Sequence, residues 1–255
     1  MLLAIDVGNS HITVGCVDGA EIGYIFRLRT ERKKTADQYS VELRAIFDFN
    51  GIESGTFDGA IVSSVVPSVT PAIRESVRRL TGLSAIVVGA GIKTGLNIRI
   101  EDTAELGADA VCVSVAALAL YGAPCVIVDM GTATKILVLD EAGTYIGGAI
   151  APGVAISADA LTAKASLLPS VSLDAPRKAI NGVTIDAIKS GIVFGAAAMV
   201  DGMLRRFAKE LGYRPKAVAT GGLSSYIIPH CQEEIISDDT LILTGLRLLY
   251  EKNRK

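Results

Sequence analysis

The sequence predicts an α/β protein made of two duplicated halves, and three observations carry that prediction. The first is a repeat. Residues 2–17 (LLAIDVGNSHITVGCV) and 125–139 (CVIVDMGTATKILVL) are each an apolar run closed by Asp-x-Gly, then small hydroxyl or amide residues, then a second apolar run. Two matching units far apart in one chain point to a duplication. The second is order: each repeat is followed by a third strand-like run and then by helical spacing alternating with short strands. The third is composition. Of 255 residues, 50% are hydrophobic and 20% charged, which suffices for two cores of ordinary domain size.

Taken in order, residues 2–17 read as a β-hairpin, because the run lengths suit strands and the Gly-centred break suits a tight turn. Residues 20–29 read as a third strand leading to the basic run Arg32-Lys33-Lys34, expected to be a solvated loop. Thr35 with Gln38 three residues on makes a capping box, opening an amphipathic helix to about residue 49. Residues 59–67 are a buried strand with a polar turn at its end, and residues 68–81 carry helical spacing stopped by Gly82. Residues 85–88 form a short apolar strand, and residues 102–121 predict one long helix capped by Asp102 or Thr103. The pattern then restarts with the hairpin 125–139, a third strand over 144–150, a glycine turn at 151–153 and helical spacing over 154–167. A loop with Pro169 and Pro176 leads to a helix over 184–211, a strand over 217–220 closed by Gly221-Gly222, and a last helix over 240–252. The boundary falls near 121–124, giving domains 1–121 and 122–255 with no low-complexity linker, so the halves are expected to pack closely around a cleft.

Composition excludes several classes. A net charge of −2 and a pI near 5.8 argue against a dedicated nucleic-acid surface. Cys16, Cys112, Cys125 and Cys231 lie far apart and three sit in apolar runs, which is neither a metal spacing nor a disulfide framework. His11 and His230, the only histidines, are too far apart in sequence to suggest a metal cluster. Met1 leads directly into a strand, leaving no room for a signal peptide. The Ala-rich run 111–120 stops well short of a membrane span. The expectation is a soluble cytoplasmic protein with no nucleic-acid or membrane partner.

The hairpins carry the chemistry. Gly8 and Gly131 lack a Cβ, so backbone N–H groups can approach and face an anion. Asn9, Ser10, Thr132 and Thr134 add side-chain donors, and Asp6 and Asp129 set a carboxylate beside each turn. A carboxylate beside a ring of donors suits a polyphosphate with its cation. One Asp-x-Gly is usually only a turn, but two copies with matching flanks favour a nucleotide clasped from both sides. Asp109, beside Gly107 and Ala108, could accept the proton of an attacking hydroxyl during in-line phosphoryl transfer. On spacing alone, a solvated acid near a helix N-terminus explains it equally well. Lys135 reads as an ordinary strand-edge lysine.

Six stretches extend this reading: residues 6–10 (DVGNS), 63–67 (SSVVP), 107–109 (GAD), 129–134 (DMGTAT), 147–153 (GGAIAPG) and 219–223 (ATGGL). Through them the chain resembles the type III pantothenate kinases, of the acetate kinase, sugar kinase, Hsp70 and actin superfamily. The resemblance implies two ribonuclease-H-like domains around an interdomain nucleotide cleft, a homodimer, and transfer of the ATP γ-phosphoryl group to the primary hydroxyl of pantothenate, the first step of coenzyme A synthesis. It implies that Asp6, Val7, Gly8, Asn9, Ser10, His11, Ile12, Thr13 and Thr132 hold ATP phosphates, that Gly221 and Gly222 lie near the adenosine, and that Asp109 is the general base. It further implies that Asp129 binds a monovalent cation (potassium or ammonium) and that magnesium accompanies ATP. Gly107, Ala108, Asp109 and the positions of Ile100 and Ala110 would face pantothenate, with Thr184 reaching it across the dimer interface.

The acceptor half departs from the family. Ala110 stands where the family has an arginine for the pantothenate carboxylate, Ile100 where it has a tyrosine, Asp102-Thr103 where it has Asn-Pro, and Lys135 where it has threonine. Losing one charge-assisted contact costs about 1.5–3 kcal/mol, roughly ten- to a hundred-fold in binding. The expectation is a pantothenate kinase of weak activity; the alternatives are an ATP-binding regulatory or non-catalytic paralogue, or a kinase with a changed acceptor.

Overall fold

Two five-stranded sheets repeat one topology in a computed structural model that describes residues 1–254. The first sheet has the order β3-β2-β1-β4-β5, from β1 (Leu2–Val7), β2 (His11–Asp18), β3 (Glu21–Arg29), β4 (Gly59–Ser64) and β5 (Ile86–Val87). The antiparallel meander β1–β3 is followed by α1 (Ala36–Phe49), and α2 (Thr70–Thr81) separates β4 from β5, both of which run parallel to β1. After α3 (Ala108–Tyr121) come β6 (Cys125–Met130), β7 (Ala133–Leu139) and β8 (Tyr145–Pro152), then α4 (Val154–Lys164), α5 (Thr184–Leu211), β9 (Lys216–Thr220), the short α6 (Ser224–Ile227), β10 (Ile236–Ser237) and α7 (Leu241–Asn253). The second sheet runs β10-β9-β6-β7-β8, again a meander on one side of its central strand and parallel strands on the other. The sequence repeat is thus a repeat of topology.

The chain forms two compact units. One takes in residues 1–96, 102–116 and the segment from Thr240 onward; the other takes in Asn97–Glu101 and Ala117–Asp239. The last helix therefore belongs to the unit built by the first strands.

In the first unit, alternate residues of β1 and β2 (Leu3, Ile5, Val7, Ile12, Val14) meet Tyr39, Leu43 and Phe47 of α1 and Ile73 and Val77 of α2. Each fully buried side chain of this kind contributes about 1.5–3 kcal/mol of transfer free energy, so Ile5→Ala would cost about 2–5 kcal/mol. The opposite face lies against α7 and α3. Its approach is close because Gly15 leaves room for Leu243, Gly59 for Tyr250, and Gly245 for the Cys112 backbone. In the second unit Val126, Val128, Met130, Ile136 and Val138 pack on Val193, Ala197, Val200 and Leu204 of α5. That helix is long and apolar enough to cross a membrane, but its buried stripe belongs to this core.

The local signals for helix ends hold. Thr35 and Gln38 form the capping box, and α2 ends on Gly82 at φ 73°. The long helix expected over 102–121 is broken. Asp102 caps only a 3₁₀ turn, Thr103–Glu105, its Oδ1 accepting from Ala104 N at 2.8 Å; Leu106 then turns to ψ 113°. Helix α3 starts afresh with Val111 N donating to Gly107 O. Apolar spacing continues across such a one-turn interruption, so periodicity does not report it. Strand β8 continues through the expected turn to Pro152, and α4 ends at Lys164 rather than 167. Helix α6 and strand β10 are too short to leave a period in the sequence.

Candidate active site

The β1–β2 hairpin turns tightly. Gly8 N donates to His11 O at 3.0 Å, leaving Asn9 and Ser10 as the two exposed residues of the loop. Two groups that were not foreseen brace it. Thr30 Oγ1 donates to Gly8 O at 2.7 Å, and Arg32 Nη2 donates to Asn9 Oδ1 at 3.3 Å. The basic run is therefore not simply a solvated loop: Arg32 reaches the turn, and Lys34 pairs with Glu42 at 2.6 Å and Glu31 at 3.0 Å. No sequence signal announces these contacts, since β3 brings them in from the next strand.

Asp6 sits opposite Ser63 in the β1–β4 register, on the face away from the α1–α2 core. Against that face lies Cys112 of α3, whose thiol is pushed well above its ordinary range by burial first and then by the charges of Asp6 and Asp109. The same thiol thus senses both carboxylates, which places them in one neighbourhood of the first unit. Asp109 stands in the first turn of α3, where the helix dipole favours a negative charge. Its Oδ1 accepts from Ala110 N at 2.7 Å. A Cβ on Gly107 would lie 3.5 Å from Val65 Cγ1, and Val65 N donates to Val7 O at 3.1 Å, so the start of α3 stands near the end of β1.

The β6–β7 turn is tighter still, with Gly131 N donating to Ala133 O at 3.1 Å and Thr132 exposed at its tip. The N-terminus of α4 abuts this turn. A Cβ on Gly153, its N-cap, would lie 2.1 Å from Thr132 O. A helix N-terminus beside a glycine-containing turn is a ready-made anion site. Gly221, at φ 98°, brings the end of β9 against the Met130 backbone, where a Cβ would lie 2.6 Å from the nearest atom. Only glycine combines that conformation with that approach.

The implied monovalent cation does not fit. Asp129 and Lys135 are direct cross-strand partners in the β6–β7 register. Lys135 Nζ stands 2.8 Å from Asp129 Oδ2, with side-chain exposures of 16% and 15%. Lys135 is therefore no strand-edge lysine, and the place at Asp129 is filled by an ammonium of the chain itself. Magnesium does fit the donors present. It tolerates one or two carboxylates together with waters and substrate phosphates, and Asp6 offers one beside the first turn. Among the described residues no group of three or more His, Cys, Asp or Glu could hold a metal alone.

On the acceptor side, Ala110 is buried at 4% exposure, Ile100 is half-buried, and Thr184 is exposed at the first position of α5. Ile100 and Thr184 belong to the second unit, Ala110 to the first.

Paired hairpins with small-residue turns, each leading a five-stranded sheet of the same order, define the fold of the actin, Hsp70 and sugar kinase class. Solved structures share it. A conserved Baf family protein of Campylobacter jejuni, described as a transcriptional activator, matches with a TM-score of 0.62 at 21% identity, covering 98% of both chains. The ROK hexokinase of Thermus thermophilus matches with a TM-score of 0.50 at 13% identity, covering 97% of both. Identities this low speak for the fold alone. Sequence goes further. The profile of the family described as type III pantothenate kinase matches residues 2–206. The type III pantothenate kinase of Halalkalibacterium halodurans is 39% identical over 253 residues, 99% of this chain and 100% of that protein. That of Brevibacillus brevis is 41% identical over 254 residues, the whole of both. The chain belongs to the type III pantothenate kinase family, a family of ATP-using phosphotransferases.

Proposed function

We propose that this chain transfers the γ-phosphoryl group of ATP to the primary hydroxyl of pantothenate, giving 4′-phosphopantothenate and ADP. The observation that supports the reading, beside full-length kinship, is the approach of Gly107, two residues before Asp109, to Val65, which is bonded to Val7 at the end of β1. The turn from Asp6 to Thr13 and Thr132 hold the phosphates, with donors from Asn9, Ser10 and Thr132 and the α4 N-terminus behind Thr132. Asp6 would hold magnesium together with the phosphates, and the ion would supply charge neutralisation there. Asp109 takes the hydroxyl proton as the oxygen attacks phosphorus in line; the P–O bond to ADP breaks and ADP leaves with that electron pair. Gly107 and Ala108 line the approach of the hydroxyl. Ile100 and Ala110 offer no charge to the pantothenate carboxylate, so acceptor binding is weak. The two ribonuclease-H-like domains correspond to the two compact units, the last helix completing the first, and the enzyme works in the cytoplasm, where ATP and pantothenate meet.

The working form is a homodimer. Ile150, Ile156, Leu161, Leu167, Ile180, Val183 and Ile185 are large apolar residues exposed on the second unit, all within 36 positions of one another. Exposed large apolar side chains are candidates for burial against a partner, and Thr184 lies in the same stretch of the chain. The stretch 192–203 of α5 turns Val193, Ala197 and Val200 into the core of its own unit.

ADP release measured with and without pantothenate, with the product identified by mass, tests the reading. ADP formation that requires pantothenate and yields its phosphate is the expected result. ATP turnover indifferent to pantothenate, or none in any cation, would overturn it.

A further inference from the structure

The face of the second sheet turned away from the α5 core carries Asp129 with Lys135, separated from the turn that carries Thr132 by the Met130–Thr134 pair. Three features make this more than a surface salt bridge. The residues are direct cross-strand partners, so the backbone ladder fixes their separation. Both side chains are about five-sixths buried, where an ion pair is screened little by salt. And the lysine head is a compact point charge with three donors, the same charge and donor chemistry as a free ammonium ion.

We infer that Lys135 is a built-in cation: its ammonium stands at Asp129 in place of the monovalent ion that the resemblance assigns there, and the phosphotransferase runs without added potassium or ammonium. The inference rests on the proposed kinase reading for its kinetic consequence, though not for the contact itself. A cation carried on the chain's own strand need not be recruited from solution. Its occupancy does not vary with salt, and the carboxylate is never left buried without a partner charge, which is the expensive arrangement. A free ion would have to displace a 2.8 Å charge-assisted contact before it could reach Asp129.

The test compares choline, potassium and ammonium chlorides at matched ionic strength on the intact protein. Wild-type turnover of ATP and pantothenate should be the same in all three within about twofold. Lys135→Thr opens the place at Asp129. In choline it should lose about ten- to a hundred-fold in rate, the scale of one charged contact, and potassium or ammonium should restore most of it. Lys135→Met, which fills the same volume without charge, should be slow in every salt. A second readout does not depend on turnover: potassium should raise the melting temperature of Lys135→Thr above its choline value and leave the wild type unmoved. Potassium activation or potassium-specific stabilisation of the wild type overturns the inference, as does full activity of Lys135→Thr in choline. Should neither variant melt cooperatively, the wild-type arms decide alone. Absence of pantothenate turnover would count against the kinase reading, while the melting comparison still judges the cation.

Discussion

Gly107→Ala changes where the Asp109 carboxylate can stand and leaves its chemistry intact. A Cβ at position 107 would lie 2.6 Å from Asp109 Oδ1 and 3.5 Å from Val65 Cγ1. Ordinary contact begins at 3.4 Å, so Val65 can stay while the carboxylate must retreat by about 0.8 Å. Gly107 does not use the left-handed backbone, so the alanine strains no dihedral there. The retreat strains the 2.7 Å contact from Ala110 N to Oδ1, at a cost of up to about 0.5–1.5 kcal/mol in stability. Displacing a catalytic group by about 1 Å costs about 10²-fold in rate. Asp109→Asn is the companion variant: its amide oxygen still accepts from Ala110 N, so the fold is kept while the base is lost, at about 10²–10⁴-fold in turnover. Steady-state kinetics with ATP and pantothenate, with a thermal melt of each variant, measures both effects. The expected pattern is a large fall in kcat for both, little change in the KM for ATP, and a melting temperature lowered only for Gly107→Ala. Wild-type kcat in Asp109→Asn would refute Asp109 as the base, whereas wild-type kcat in Gly107→Ala alone would show that the carboxylate rotates aside and keeps its working position.

Gly8→Val should weaken binding of a non-hydrolysable ATP analogue by at least about tenfold, the loss of one or two phosphate contacts, because a Cβ there already sits 3.0 Å from His11 O; isothermal titration reads it, and equal affinity would move the phosphates elsewhere. The KM for pantothenate should be high and should fall in Ile100→Tyr. Ala110→Arg, which must push a guanidinium into a site only 4% exposed, is expected to lower the melting temperature rather than rescue acceptor binding. Tyr121 donates to Asp238 Oδ2 at 2.8 Å, and burial first, then this contact, raises its pKa to about 12. Its folded value lies above the unfolded one, so this contribution to stability is intact below pH 10 and is lost as pH rises through about 12. The alkaline limb of the melting curve should therefore be shallower in Tyr121→Phe.

The sequence by itself determined the duplicated topology, because strand and hairpin signals are local: short apolar runs and a Gly-centred turn specify a meander wherever they occur. It determined the Thr35 cap and the stop at Gly82 for the same reason, and the family motifs named the candidate base and both candidate phosphate turns. Tertiary structure decided the rest. Periodicity reports which face a side chain occupies and says nothing of what another element brings to that face. The break at Leu106 and Gly107, which sets Asp109 in the first turn of a helix, leaves no mark on the apolar spacing. The return of the last helix to the first unit depends on Gly15, Gly59 and Gly245 leaving room for close approach. Thr30 and Arg32 reach the β1–β2 turn only because β3 folds back along β2. Lys135 meets Asp129 because the length of the Gly131–Ala133 turn sets the register of two strands. A one-residue slip there would have sent the lysine to the opposite face of the sheet.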